Sequence, residues 1–283
     1  RVRKFDSKHN TRDYWYENCV NAGIFVFNRK ICDRVPEPVK RNLENDVIKG
    51  MLEAGEPIYG YCSPEYVKDV GTVERVNQTL ADIERGVIAG KCLKNKQRCI
   101  FMDRDGTINQ YKGLVYKGED FTLEDCAVDA IRKINQSGRL GIVITNQPVV
   151  ARGLCEIEDV ENIHKKMETL LGKEGVFLDD VFYCPHHPDK GYPEENPAYK
   201  TPCECRKPKT GMIQKAAERY NIDLAGSWMI GDTTMDIQTG INAGMRTALV
   251  QTGEAGNDKK YDVKPDLVCR DLLDAVEKIL QVD

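Results

Sequence analysis

From Gln97 to the end of the chain, short apolar runs alternate with longer segments of helical period, and several of the apolar runs stop at carboxylates. A continuous apolar run of four or five residues suits a strand buried on both faces. A chain that returns through a helix after each run builds a parallel sheet covered by helices. The runs are Cys99–Met102, Leu140–Ile144, the region Val176–Tyr183, Ser227–Ile230, Arg246–Val250 and Leu267–Val268. Between them, Ala127–Ser137 (with Gly138 as its stop), Glu156–Leu171, Gly211–Tyr220, Met235–Ala243 and Leu272–Leu280 read as helices. The order predicts an α/β fold, a doubly wound parallel sheet. Ligands of such sheets bind beyond the carboxyl ends of the strands.

Those ends carry the chemistry. Cys99–Met102 runs into Asp103-Arg104-Asp105-Gly106-Thr107, and carboxylates two apart past a buried strand point the same way. Trp228–Ile230 ends in Gly231-Asp232, with Asp236 four residues on, and Leu140–Ile144 ends in Thr145-Asn146-Gln147. Acids gathered in one crevice repel one another unless a cation sits among them. Oxygen ligands suit Mg²⁺, which leaves room for waters and a phosphate. Any one of these acids alone reads as a turn former or helix cap; the set at successive strand ends reads as a site.

A second constellation is Cys184-Pro185-His186-His187-Pro188 followed by Cys203-Glu204-Cys205. Three thiols and an imidazole make a closed tetrahedral set suited to structural Zn²⁺. The long Pro- and Gly-containing stretch between them needs such an anchor to stay ordered. Cys205 immediately precedes Arg206-Lys207, so a metal there would set the position of that lysine.

Composition narrows the classes. The 283 residues carry a net charge of −4, with a pI near 5.8 and mean hydropathy −0.51. That excludes a general nucleic-acid coat, although Arg206-Lys207-Pro208-Lys209 is a local basic cluster fit for phosphate. No apolar run reaches the ~18–20 residues of a membrane span. Eleven cysteines, an odd number without a signal-peptide pattern, read as reduced thiols of a cytoplasmic protein.

The four segments Asp103–Thr107, Thr145–Gln147, Arg206–Pro208 and Gly231-Asp232 with Asp236 resemble, in order, the motifs of the haloacid dehalogenase (HAD) superfamily of phosphatases over residues 97–283. Asp103–Asn109, Thr145–Gln147, Ala151–Gly153 and the cysteine loop bring the likeness closer to heptose bisphosphate phosphatases and their histidinol phosphatase relatives. The resemblance implies Asp103 as nucleophile, Asp105 as general acid and base, and Thr145 and Lys207 as holders of the phosphoryl oxygens. It implies Mg²⁺ on Asp103, Asp232 and the backbone carbonyl of Asp105, and Zn²⁺ on Cys184, His186, Cys203 and Cys205, with His186 rather than His187. Asp236 either orients the metal's surroundings or caps its helix. Tyr111, Lys112, Gly113, Leu114, Asn146, Gln147, Arg152 and Arg206 are the expected substrate contacts. The interval from Asp103 to Thr145 is too short for a large lid, so a capless enzyme is expected, with Tyr111–Asp120 and the zinc loop as the rim. Pro148-Val149 and Thr233 depart from the family's usual Ser-Gly and Lys, which leaves the substrate open.

Residues 1–90 form a first block, joined by a polar, lysine-rich linker at 91–96 to the second at 97–283. Asn21–Asn28 is a strand pattern, Glu44-Asn45-Asp46 opens a helix and Val73–Arg85 is helical, which together predict a small α/β piece. The Asn-Ala-Gly turn at 21–23, Glu44 and Asp69-Val70-Gly71-Thr72 resemble the C-terminal half of sugar-1-phosphate nucleotidyltransferases. The resemblance implies that Asp69 helps hold a metal and that Glu44 and the turn face a sugar. The chain opens on Arg1, and this block reads as part of something longer, its preceding half expected in cis. As it stands it is not expected to transfer nucleotides. The pairing implies neighbouring steps on one sugar: removal of the 7-phosphate of a heptose 1,7-bisphosphate, then activation of the 1-phosphate. The alternatives are a histidinol-phosphate phosphatase and a non-catalytic phosphosugar-binding module.

Overall fold

The structure is a computed structural model and describes residues 1–2, 4–5, 12–35, 40–189, 191 and 195–282. It divides into two compact units, one of residues 1–14 and 19–63, the other of 15–18 and 64–283. Residues 64–96, read from sequence as the end of the first block and a linker, cluster with the larger unit.

In the smaller unit, a widened helical turn Leu43–Ile48 leads into helix α1, Lys49–Glu53. The Asn42 side chain starts it by accepting from the amides of Glu44 and Asn45, and Val47 and Ile48 are buried. The expected strand over Asn21–Asn28 does not form: no described residue of this unit lies in a strand. An extended segment needs a laddered neighbour to be a strand. Here Ile24 and Val26 stand 74% and 98% exposed, with no sheet to receive them. Over its described residues the unit is therefore helical with extended segments, not α/β.

The larger unit begins with α2, Val73–Glu84, capped by Thr72, and α3, Val87–Gly90. Six parallel strands follow: β1, Cys99–Met102; β2, Leu140–Asn146; β3, Asp180–Cys184; β4, Trp228–Gly231; β5, Arg246–Val250; and β6, Leu267–Cys269. Their order is β3-β2-β1-β4-β5-β6, so the chain starts in the middle of the sheet and winds outward both ways. The direction reverses between β1 and β4, where Met102 lies opposite Ile230.

The helices are α4, Ala127–Gln136; α5, Ile157–Lys173; α6, Gly211–Tyr220; α7, Thr234–Asn242; and α8, Leu272–Val282. Alternation along β1 splits the core. Ile100 and Met102 face α4, α5 and α8 through residues such as Ile131, Ile163 and Val276. Cys99 and Phe101 face α6 through Met212, Ile213 and Tyr220. Burying a Leu- or Ile-sized side chain stabilises by roughly 1.5–3 kcal/mol, so both sheet faces hold β1 in place and with it the residues that follow. No helix among the described residues is long and apolar enough to cross a membrane.

Candidate active site

Asp103 follows β1 directly, and its amide donates to the carbonyl of Ile230 on β4 (2.9 Å), extending the sheet by one bond. Asp232 follows β4. These two acids therefore flank the point where the strand order reverses, the place a ligand crevice opens. One oxygen each of Asp103, Asp232 and Asp236 lie within 4.8 Å of one another. Lys207 enters from the loop before α6 and is 3% exposed. Its Nζ lies 2.9 Å from Asp103 Oδ1 and 2.6 Å from Asp236 Oδ1. Burial alone would lower the Lys207 ammonium, but the two carboxylates outweigh it and hold it above the usual lysine range. Asp236 caps its helix, one of the two roles left open by the sequence, and also pairs with Lys207. Its Oδ1 accepts from Lys207, while its Oδ2 accepts from the Thr233 amide (3.1 Å) and hydroxyl (2.6 Å) to cap α7.

The electrostatics call for a cation. Burial, opposed by Lys207 and reinforced by Asp236 and Asp105, pushes Asp103 up to about 6. Burial, then Asp236 and Asp103, push Asp232 up to about 8. Asp232 Oδ1 is buried without a hydrogen-bond partner, and a buried acceptor left unmet costs about 1–3 kcal/mol. A divalent ion on Asp103 and Asp232 would satisfy that oxygen and relieve the crowding, so these residues fit Mg²⁺. The other Asp232 oxygen accepts from the Glu254 amide (2.8 Å), and Gly256 N–H donates to the Asp232 carbonyl (2.7 Å). Gly106, at φ +77°, lies so close that a Cβ there would strike Asp232 Oδ2 and approach Gly253. The Gly of the first motif thus gives a tight turn and also room for the second carboxylate.

Asp105 stands apart from this cluster. Its side chain accepts from Arg104, Asn109 Nδ2 (3.1 Å) and Gln147 Nε2 (2.8 Å). The expected contribution of Asp105 to a metal therefore rests on its backbone, not its carboxylate. Thr145, at the end of β2, is 1% exposed, and its Oγ1 accepts from Gln147 Nε2 (2.9 Å).

The expected substrate contacts divide. Gln147 is buried and bonded inward to Asp105, Arg104 and Thr145. Asn146 brackets the Lys207 backbone, its Oδ1 accepting from Lys207 N–H (3.0 Å) and its Nδ2 donating to Lys207 C=O (3.3 Å). Both act on site residues rather than facing an open pocket. Tyr111 is 46% exposed and donates to Glu254 Oε1 (2.7 Å), which with burial pushes it up to about 12. Lys112 donates to Thr122 Oγ1, Gly113 takes φ +73° in the turn, and Leu114 is exposed, so this segment remains at the rim. Arg206 is half-buried and donates through Nη1 to the His186 carbonyl (3.1 Å), while Arg152 is half-buried on the loop after β2.

Cys184, His186, Cys203 and Cys205 converge, with one ligand atom each within 4.8 Å. Sulfur separations are 3.5 Å for Cys184–Cys203, 3.1 Å for Cys184–Cys205 and 3.3 Å for Cys203–Cys205. His186 Nδ1 lies 3.5 Å from Cys205 Sγ. A tetrahedron of Zn–S bonds of about 2.3 Å has edges of roughly 3.8 Å, so the four groups fit a closed zinc site with little movement. His187 is buried outside the set. Residues the sequence reading passed over are Arg104, Asn109, His164 and Glu254. Arg104 had one signal, its place between two site carboxylates. His164 had another, its place on the apolar stripe of α5 beside Val160 and Met167.

A family model for HAD-hydrolase-like proteins matches residues 204–275. The D-glycero-beta-D-manno-heptose-1,7-bisphosphate 7-phosphatase of Haemophilus ducreyi is 37% identical over 182 residues, covering 64% of this chain and 97% of that protein. The chain belongs to the HAD-like phosphatase family. The protein of the same name from Escherichia coli K12 is 40% identical to this HAD-like chain over 156 residues, 55% of this chain and 80% of that one. A crystal structure of D,D-heptose 1,7-bisphosphate phosphatase from B. bronchiseptica, complexed with magnesium and phosphate, superposes at TM-score 0.58. Its identity is 34%, over 66% of this chain and all of that one. The six-stranded parallel sheet is thus the Rossmann-like sheet of HAD-like enzymes, and this HAD-like protein is a phosphoric monoester hydrolase.

Proposed function

We propose that the chain removes the 7-phosphate of D-glycero-D-manno-heptose 1,7-bisphosphate through an aspartyl-phosphate, with Mg²⁺ as cofactor. The observation that carries this reading is the buried lysine held between two carboxylates at the β1/β4 crevice, Lys207 on Asp103 and Asp236. The relatives named for this substrate support the choice of sugar.

Asp103 Oδ attacks phosphorus in line as the bond to the sugar oxygen breaks, and that oxygen takes a proton from Asp105. In the second step water gives a proton to Asp105, its oxygen bonds to phosphorus, and the bond to Asp103 breaks. Lys207 and Thr145 hold the equatorial oxygens, where charge builds. Asn146 keeps Lys207 in place through its backbone. Mg²⁺, when bound by Asp103, Asp232 and the Asp105 carbonyl, supplies charge that offsets repulsion between nucleophile and phosphate. Zn²⁺ on the Cys/His set is structural. It anchors the loop that leads through Arg206 to Lys207, and Tyr111–Leu114 with Arg152 and Arg206 meet the sugar and its second phosphate.

Residues 1–90 we read as the C-terminal portion of a sugar-1-phosphate nucleotidyltransferase, joined through 91–96 to the phosphatase and completed by a preceding half. Asn21 and Glu44, both motif residues, meet at 2.5 Å in the smaller unit, which supports the assignment. The test is phosphate release from both anomers of the heptose 1,7-bisphosphate, other sugar bisphosphates and histidinol phosphate, with Mg²⁺ and with chelator. The heptose bisphosphate is expected to lead by at least about tenfold in kcat/KM, only with Mg²⁺. A lead by histidinol phosphate, or turnover in chelator, overturns the assignment.

A further inference from the structure

Arg104 is fully buried, and a buried guanidinium is costly unless its N–H groups find acceptors. Its Nε donates to Asp105 Oδ1 (3.2 Å), and Nη2 lies 2.9 Å from both Asp105 oxygens and 3.0 Å from Gln147 Oε1. Its Nη1 lies 3.1 Å from His164 Nε2. Guanidinium has five donors, no acceptor, and does not lose its proton in proteins. His164 must therefore offer a lone pair, which makes it the neutral imidazole protonated on Nδ1. Burial, then the charge of Arg104, push His164 well below its ordinary range, in the same sense. The Tyr183 ring packs edge-on against the imidazole, centroids 5.1 Å apart, and fixes its plane. Gln147 is oriented just as firmly, its oxygen on Arg104 and its nitrogen on Asp105 and Thr145.

We propose that Arg104, anchored by neutral His164 on α5 and by Gln147 at the end of β2, is the positioning residue that holds the Asp105 carboxylate for proton transfer. This rests on the acid–base reading of Asp105 above. The local sequence explains the device. Asp105 stands on a turn rather than on the sheet, so its side chain is fixed by the hydrogen bonds its neighbours give it. Arg104 carries the rigidity of the α5 side of the core to the carboxylate. Proton transfer by a placed side chain is worth about 10²–10⁴-fold, and such groups tolerate only about 0.5 Å of displacement.

A loosened Asp105 harms substrates whose leaving oxygen needs a proton and spares those whose leaving group is stable as an anion. The experiment compares single-turnover kcat/KM on heptose 1,7-bisphosphate and on 4-nitrophenyl phosphate for Arg104→Lys, His164→Leu, His164→Gln and Asp105→Asn. Melting temperatures are recorded for all four. Asp105→Asn is expected to lose at least about 100-fold more on the sugar phosphate than on the aryl phosphate. Arg104→Lys and His164→Leu are expected to lose at least about 10-fold more on the sugar phosphate, with KM for it little changed. His164→Gln, whose Oε1 can accept from Arg104, regains several-fold over His164→Leu. Equal losses on both substrates for Arg104→Lys and His164→Leu, while Asp105→Asn still discriminates, overturn the positioning role. Equal losses for Asp105→Asn itself overturn the acid–base reading, and the positioning role with it.

Discussion

Replacing Lys207 with Met keeps the length of the side chain and removes its charge. The ammonium bridges Asp103 and Asp236 at 2.9 and 2.6 Å, and the Lys207 and Asp236 side chains are 2% and 1% exposed. Breaking a buried ion pair from one side costs about 3–5 kcal/mol, because the remaining charge is left uncompensated in low dielectric. Asp232, whose ligand oxygen lies within 4.8 Å of the other two, adds to that repulsion. Loss of one donor aimed at developing charge costs about 10²–10³-fold in kcat. Urea unfolding and phosphate release measure the two effects. In metal-free buffer the variant is expected to lose roughly 3–5 kcal/mol of unfolding free energy. Millimolar Mg²⁺ should restore part of it, since an ion that binds only the folded carboxylates stabilises by mass action. A loss below about 1 kcal/mol together with kcat within about tenfold of the parent would refute the reasoning. Lys207 would then neither balance the carboxylates nor meet the phosphoryl group.

Cys203→Ser should lower zinc content by elemental analysis and reduce kcat about tenfold or more, because Cys205 leads directly to Arg206 and Lys207; zinc loss with full activity contradicts the positioning role of that loop. Gly106→Ala places a Cβ against Asp232 at φ +77°, so unfolding free energy should fall by more than about 2 kcal/mol and Mg²⁺ affinity should weaken, both readable in a Mg²⁺ titration of thermal stability. Glu168 on α5 accepts from the Asn18 amide (2.9 Å), and burial, against that bond and with Glu17 and Asp180, pushes it up to about 7 from 4.5. The folded state then holds its proton more tightly than the unfolded chain. Its stabilising contribution is full below about pH 4.5 and is lost as pH rises through about 7, at most about 3 kcal/mol. Glu168→Gln should flatten stability across that window in urea melts at fixed pH values, and an unchanged slope would show that the carboxyl does not titrate there.

The sheet was readable from sequence because its inner strands β1, β2 and β4 are buried on both faces and so carry apolar runs; Cys99–Met102 and Arg246–Val250 lie where the pattern puts them. Asp103 and Asp232 were readable because strand ends converge in a doubly wound fold, and Lys207 through the likeness of Arg206-Lys207-Pro208 to a family motif. Asp179 shows a limit. Its carboxylate accepts from the Gly141 amide (2.8 Å) at the start of β2, so β3 begins only at Asp180 rather than at Val176. The inward turn of Asn146 and Gln147 could not be read, because polar residues after a strand suit substrate and neighbouring side chains equally. His164 was hidden for the opposite reason: a helical histidine on an apolar stripe resembles core packing until Arg104 is found beneath it. The Asn21–Asn28 pattern failed because alternation encodes a strand's faces but not the presence of its neighbour.

In the proposed mechanism Asp103 carries the phosphoryl group between two steps. Borohydride trapping during turnover of 4-nitrophenyl phosphate, whose leaving group needs no proton, in the Asp105→Asn background that slows hydrolysis, followed by peptide mass mapping, tests this step. Reductive modification is expected at Asp103, dependent on substrate and Mg²⁺ and absent in Asp103→Asn. Modification at another residue, or phosphate release by Asp103→Asn at the parent rate, would contradict it.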